Sequence, residues 1–420
     1  MSKVLGTSIE LTGGQYTIQG LPAVEMAERF GTPLYVYDGD WVNTRYSELY
    51  DLIAWPRLRV LYAMKANYSP AILRLLLENG AYLDTVSPGE VELALKIGFP
   101  PGRLLYTANS ITDAEMTEVQ SKGVLLNIGS LSRLEKYGRA FPGTEVCLRF
   151  NPDVVAGSHA KIQTGGDLTK FGILLQDLPR VLELAATYRL SVVGLHEHTG
   201  SGISETDKVF QSMRNLLSIA TPEAFPELRF VDFGGGFKVP YSPDEKRIDY
   251  ASFGAQIRTI FAEFCAAYGR DLDMYFEPGK YVVAESGYMI VEVNTLKNNK
   301  GRLIAGTNSG FGHLIRPMIY DAYHHIVNLS NPHGPPRTYD VCGNICETGD
   351  RFATDRVLPE VCEGDLLAIL NAGAYCCAMG SVYNLRPLPT EVLVHKGQAT
   401  LARKGLSNVE LADEILRTYE

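Results

Sequence analysis

Short apolar runs alternate with amphipathic stretches from about residue 35 to residue 280. Eight of the runs read as strands: Arg59–Met64, Tyr82–Val86, Leu104–Ala108, Val124–Ile128, Val146–Phe150, Val192–His196, Arg229–Phe233 and Met274–Phe276. They are mostly apolar, as expected of buried strands. The intervals carry helix signals. Ser87-Pro88-Gly89-Glu90 and Thr112-Asp113-Ala114-Glu115 have capping-box spacing. Leu178–Leu190 and Val209–Ala220 repeat apolar residues at helical spacing, and Gly98 and Gly123 fall where helices end. Eight strand–helix alternations predict a (β/α)8 barrel over residues 35–280, rather than a doubly wound sheet, which would carry an early glycine fingerprint.

The pattern changes after residue 281. Val282–Ala284, Tyr288–Val293, Arg302–Ala305, Tyr339–Cys342, Leu366–Leu370 and Glu391–His395 read as strands separated by turns. Helical periodicity returns only at Asn408–Tyr419. Residues 281–420, joined by residues 1–34 with their strand-like Tyr16–Ile18, therefore form a second, mostly antiparallel β-domain. Asp153–Thr169, which holds Gly157, Gly165 and Gly166, reads as a long loop after the fifth barrel strand and a candidate lid.

Composition narrows the class. A formal charge of −9 over 420 residues argues against nucleic acid or an anionic membrane as partner. Seven cysteines in no metal or disulfide spacing suit reduced thiols in a cytoplasmic enzyme. The start lacks the apolar stretch of a signal peptide, and no run approaches the ~18 apolar residues of a membrane span.

Candidate chemistry collects where barrel strands end. Lys65 closes the run Val60-Leu61-Tyr62-Ala63-Met64. A buried ammonium is costly, so burial is expected to depress its pKa and leave an amine able to join an aldehyde. His198-Thr199-Gly200-Ser201 ends the sixth strand, Gly234-Gly235-Gly236 the seventh and Glu277-Pro278-Gly279-Lys280 the eighth. Each has an ordinary structural reading, and spacing alone does not choose between His196 and His198. Together, a phosphate cradle, an amine, a flat ring and a carboxylate match the needs of pyridoxal 5′-phosphate (PLP). A carboxylate ~4 Å from the pyridine nitrogen is worth about 4 kcal/mol at an effective dielectric near 20, which holds the ring protonated.

Seven motifs then share one resemblance. Tyr62-Ala63-Met64-Lys65-Ala66-Asn67, His198-Thr199-Gly200-Ser201, Gly234-Gly235-Gly236-Phe237, Glu277-Pro278-Gly279, Arg316–His324, Cys346-Glu347-Thr348-Gly349-Asp350 and Gly373-Ala374-Tyr375 resemble diaminopimelate decarboxylase, a fold-type III PLP enzyme built like alanine racemase and ornithine decarboxylase. The resemblance implies that Lys65 carries the cofactor covalently, His198 stacks on its ring and Glu277 meets its ring nitrogen. It implies that Ser201, Gly235, Gly236, Gly279 and Tyr375 hold the cofactor. Arg316, Tyr320 and Lys280, with Tyr375, are implied to bind substrate, with Arg316 and Tyr320 on the carboxylate at its non-reacting end. Cys346 and Glu347 are implied to reach in from the partner of a homodimer, Cys346 near the reacting carbon and Glu347 at the distal amine. The implied reaction converts meso-2,6-diaminopimelate to L-lysine and CO2, the last step of lysine biosynthesis. The alternatives are decarboxylation of carboxynorspermidine or of an ornithine- or arginine-type substrate, and a PLP-binding homologue without catalysis. Lys280 departs from the family, which usually has arginine after Glu-Pro-Gly; Thr199 stands where isoleucine is common.

Overall fold

A computed structural model describes residues 2–155, 169–200 and 205–417. Eight parallel strands close into a barrel: β1 Leu58–Ala63, β2 Tyr82–Thr85, β3 Leu104–Tyr106, β4 Leu125–Ile128, β5 Glu145–Asn151, β6 Ser191–His196, β7 Phe230–Asp232 and β8 Asp273–Phe276. Neighbours pair in sequence order, and β8 returns to β1 through Met274 opposite Leu58. The strands' apolar side chains form the barrel core with the surrounding helices. All eight strand expectations hold to within two residues at each end.

The helix signals hold in outline. Thr112 caps Asp113–Ser121 with a complete capping box. Ser87 caps Pro88–Ile97 through the Glu90 N–H at 3.2 Å, but the Glu90 carboxylate passes the capping residue and accepts from Val86 N–H at 2.7 Å. Gly98 ends that helix with φ +115°, a backbone angle that glycine adopts without strain.

The second sheet is mostly antiparallel. Its long strand Gly287–Asn299 pairs antiparallel with Leu34–Asp38, Arg302–Thr307 and Leu366–Ile369, while Thr390–His395 lies parallel to Leu34–Asp38. Leu34–Asp38 thus belongs to this sheet, although the sequence places residues 35–38 with the barrel. Ser2–Lys3, Ile9–Thr12, Gln15–Ile18 and Leu21–Pro22 make a separate four-stranded sheet, whose Ile9 and Ile18 pack with Leu34, Val36, Tyr288 and Val392.

Val282–Ala284 is not a strand. Lys280–Val283 is a helical turn, continued by the 3-10 turn Ala284–Ser286. A three-residue apolar run has no readable period. Here it is fixed from beneath by Glu285, which is fully buried and pairs with Arg45 at 2.7 Å. The turn carries the chain directly from β8 into the second sheet, so the two units meet at the barrel mouth. Arg351–Pro359, Gln398–Arg403 and Ile326–Asn328 are further strands, and Arg316–Tyr320 is a short helix. The expected lid falls almost wholly at residues 156–168, and Ser201 likewise lies outside the described residues.

Candidate active site

Lys65, His198, Gly235, Gly236, Glu277, Gly279, Lys280 and Tyr375 line one cavity at the C-terminal mouth of the barrel. Each arrives from a strand end. Lys65 sits in the 3-10 turn Met64–Ala66 after β1, and its side chain is 39% accessible because it faces this cavity. Tyr375 comes from the second domain, in a left-handed conformation (φ 56°), with its N–H on Ala66 O at 2.8 Å. Asn67 Nδ2 donates to Gly373 O at 2.9 Å, which ties the two domains together beside the amine.

Lys65 corrects one expectation. Its amine forms an ion pair with Asp84 of β2, a fully buried carboxylate. Burial pulls the ammonium's pKa down, but the charges of Asp84, then Tyr375 and Glu277, outweigh it, and the net displacement is upward. Burial and the charge of Glu277 push Asp84 up to about 6, against the pull of Lys65. Both partners are therefore charged at neutral pH, and the amine is an ammonium rather than the neutral base that burial alone would leave.

The two histidines separate by depth. His198 lines the cavity, and its Nδ1 accepts from Gly235 N–H at 3.1 Å. Burial, then the Arg149 charge, pushes its pKa well down, so the ring is neutral with its proton on Nε2. A Cβ on Gly234 (φ +65°) would stand 2.5 Å from His198 Nδ1, and one on Gly235 2.5 Å from Glu277 O. Only glycines allow the loop after β7 to pass between the His198 ring and the Glu277 main chain. His196 lies below, with Nε2 3.2 Å from Glu277 Oε2, and is also held neutral by burial.

Glu277 stands in a polar layer. Thr107 Oγ1 lies 3.4 Å from its Oε1, and Asn127 Nδ2 donates to Thr107 Oγ1 at 3.3 Å. Asp232 stands beside it at the end of the neighbouring strand β7: one ligand atom each of His196, Asp232 and Glu277 lies within 4.8 Å of the others. Burial and the Glu277 charge raise Asp232 strongly, so Asp232 is the member of the pair that keeps a proton. Burial raises Glu277 too, while Lys65 and Arg149 pull it back toward the anion.

Arg316 heads the short helix Arg316–Tyr320, is buried, and stacks on Tyr241 with Cζ 4.4 Å from the ring centre. It lies close enough to Lys280 that burial and then the Arg316 charge lower the Lys280 amine to about 7. Tyr320 is half-buried at the end of the same helix. Cys346 and Glu347 do not line the cavity. They are exposed on the second domain, Cys346 accepting from Asn384 Nδ2 at 3.1 Å and Glu347 from Tyr383 OH at 3.4 Å. All seven cysteines are free thiols.

Asp84, Thr107, Arg149 and Asp232 belong to this layer with His196 but stand out in none of the sequence motifs. The cue that exposes Lys65 would have found three of them: a charged residue within an apolar strand run, as in Tyr82-Leu83-Asp84, Leu148-Arg149-Phe150 and Val231-Asp232-Phe233.

The chain matches the family model "Pyridoxal-dependent decarboxylase, pyridoxal binding domain" over residues 41–284. It is 42% identical over 399 residues to diaminopimelate decarboxylase of Methanothermobacter thermautotrophicus, covering 93% of each chain. Identity to the Aquifex aeolicus enzyme of that name is 35% over 405 residues, covering 94% of each. The crystal structure of diaminopimelate decarboxylase from M. jannaschii in complex with L-lysine superposes with a TM-score of 0.90 at 29% identity, covering 98% of both chains. Barrel, cavity and likeness together define a fold-type III, PLP-dependent carboxy-lyase. Within that class, the chain belongs to the diaminopimelate decarboxylase family.

No helix among the described residues is long and apolar enough to cross a membrane.

Proposed function

We infer that the protein decarboxylates meso-2,6-diaminopimelate to L-lysine and CO2, closing lysine biosynthesis. The observation that carries this reading is the convergence of Lys65, His198 and Glu277 in one cavity, with Arg316 and Lys280 as cations beside it. The residues fit PLP. The glycine loop would leave no room for a Cβ, a neutral ring is fixed edge-on by a backbone N–H, and a buried carboxylate is retained at the cavity. Lys65 would hold the cofactor's aldehyde carbon, His198 the face of its ring, Glu277 the ring nitrogen, and Ser201, Gly235, Gly236 and Tyr375 its phosphate, with Gly279 also against the cofactor. When bound, PLP supplies an electron sink for the bond that breaks as CO2 leaves.

The protein's residues do the rest. Asp84 holds Lys65 Nζ as an ammonium, so the proton must leave this ion pair before the amine can act as a nucleophile. Arg316 grips the carboxylate at the non-reacting end with two parallel N–H groups, and Lys280 adds a single charge. Arg316 favours diaminopimelate over ornithine, which has no second carboxylate. Cys346 and Glu347 serve the site of a second copy in a homodimer, which their exposure away from the cavity of their own chain supports. Cytoplasmic location is consistent with the free thiols.

Product analysis of holoenzyme with meso-diaminopimelate, ornithine, arginine and carboxynorspermidine tests the reading. Lysine and CO2 are expected from the first alone. Turnover of another substrate in its place, or of none, would overturn it.

A further inference from the structure

The seat of Arg316 is completed by His324, eight residues further on. His324 is fully buried. Its Nδ1 lies 2.8 Å from the carbonyl oxygen of Leu370, and its Nε2 lies 2.9 Å from Arg316 Nη1. A carbonyl only accepts and a guanidinium only donates. The proton must then sit on Nδ1, and the lone pair of Nε2 must face Arg316, so the two partners together select a single neutral tautomer. Burial, then the charge of Arg316, drives the imidazole pKa down to about 3, and this tautomer persists across the physiological range.

The other walls are equally fixed. The Tyr241 ring covers the guanidinium and meets the His324 ring edge-on, with centroids 5.2 Å apart at 84°. Arg356 Nη1 donates to the backbone oxygen of His324 at 2.6 Å, anchoring its main chain to the strand Arg351–Pro359. One face and one Nη of Arg316 are thereby occupied, and the Cys376 thiol also stands within hydrogen-bonding reach of the guanidinium.

We propose that His324 is a positioning residue: its Nε2 lone pair orients Arg316 to grip the substrate's distal carboxylate, and it sets affinity for that group without touching the reacting carbon. The proposal rests on reading Arg316 as the receptor for that carboxylate.

L-lysine keeps the distal carboxylate and cadaverine lacks it, so their inhibition constants against holoenzyme isolate the interaction. His324→Phe keeps a flat ring but loses the acceptor. It should raise the L-lysine inhibition constant and the KM for diaminopimelate about tenfold or more. The cadaverine constant should not move, and kcat should stay within about threefold. His324→Gln, whose amide can both donate to Leu370 and accept from Arg316, should restore much of the loss. If His324→Phe weakens L-lysine and cadaverine equally, or neither, the proposal fails. Should His324→Phe not fold, Tyr241→Leu removes the opposite wall and must produce the same split. Arg316→Ala separates the two claims. If it leaves L-lysine inhibition unchanged, the reading of Arg316 itself is at fault; if it abolishes inhibition while His324→Phe is silent, only the role of His324 falls.

Discussion

Two lysines face the same cavity from opposite sides of the barrel seam, and their surroundings drive them in opposite directions. Lys65, after β1, looks at Asp84 and Glu277 and is held as an ammonium. Lys280, after β8, looks at Arg316 and Lys238, with Glu245 offsetting only part of their push, and its amine falls to about 7. Burial acts on both alike. At Lys65 neighbouring carboxylates reverse the sign, while at Lys280 neighbouring cations add to the effect of burial, so an argument from burial alone is right for Lys280 and wrong for Lys65.

Replacing the anchor should break the comparison most severely. Lys65→Ala is expected to lower turnover at least a thousandfold, to judge from the ~10²–10⁴ typical of a lost proton-transferring group. It should also remove the visible absorbance of covalently held cofactor. Turnover within tenfold of the parent would show that Lys280 or another amine can stand in.

Asp84→Asn should make Lys65 resemble Lys280. Without the carboxylate, the pH midpoint for reaction of Lys65 with an amine-selective reagent, followed by peptide mapping of the cofactor-free protein, moves down by about one to three pH units. No movement would mean that the ion pair does not govern the amine.

Lys280→Arg should make the second seat permanently charged. In the parent, log kcat/KM for diaminopimelate falls as pH rises through about 7, because the free enzyme's Lys280 then loses the charge that attracts the carboxylate. The arginine variant should lack that bend. Identical pH profiles would remove Lys280 from substrate binding.

Glu197 offers the smallest effect. It is fully buried behind the cavity, and burial pushes its carboxyl from 4.5 up to about 8. A raised acid contributes stability that is complete below pH 4.5 and is lost as pH rises through about 8. Glu197→Gln should therefore raise Tm by a few degrees at pH 9 relative to the parent and change it less at pH 6. Equal shifts at both pH values would exclude titration as the cause.

The sequence made the barrel legible because each strand is a compact apolar run bounded by glycine, proline or a capping residue. The same clarity was absent where runs were short or broken. Val282–Ala284 has no period to read, and Arg351–Pro359 is interrupted by Asp355 and Arg356, both on a strand with solvent on one side. In the site, groups that follow strands were visible because Gly and Pro frame them. Groups inside strands were hidden by their apolar neighbours: Asp84, Arg149 and Asp232 all reside in runs that look like plain core. His198 could not be told from His196 by spacing; β6 ends at His196, and His198 lies beyond it in the cavity wall.

The central claim is that Lys65 is the amine that holds the cofactor. Borohydride reduction of the holoenzyme followed by peptide mass spectrometry tests it directly. The account predicts a reduced pyridoxyl phosphate adduct on the peptide containing Lys65 and on no other. An adduct on Lys280 or any other lysine, or none at all, would contradict it.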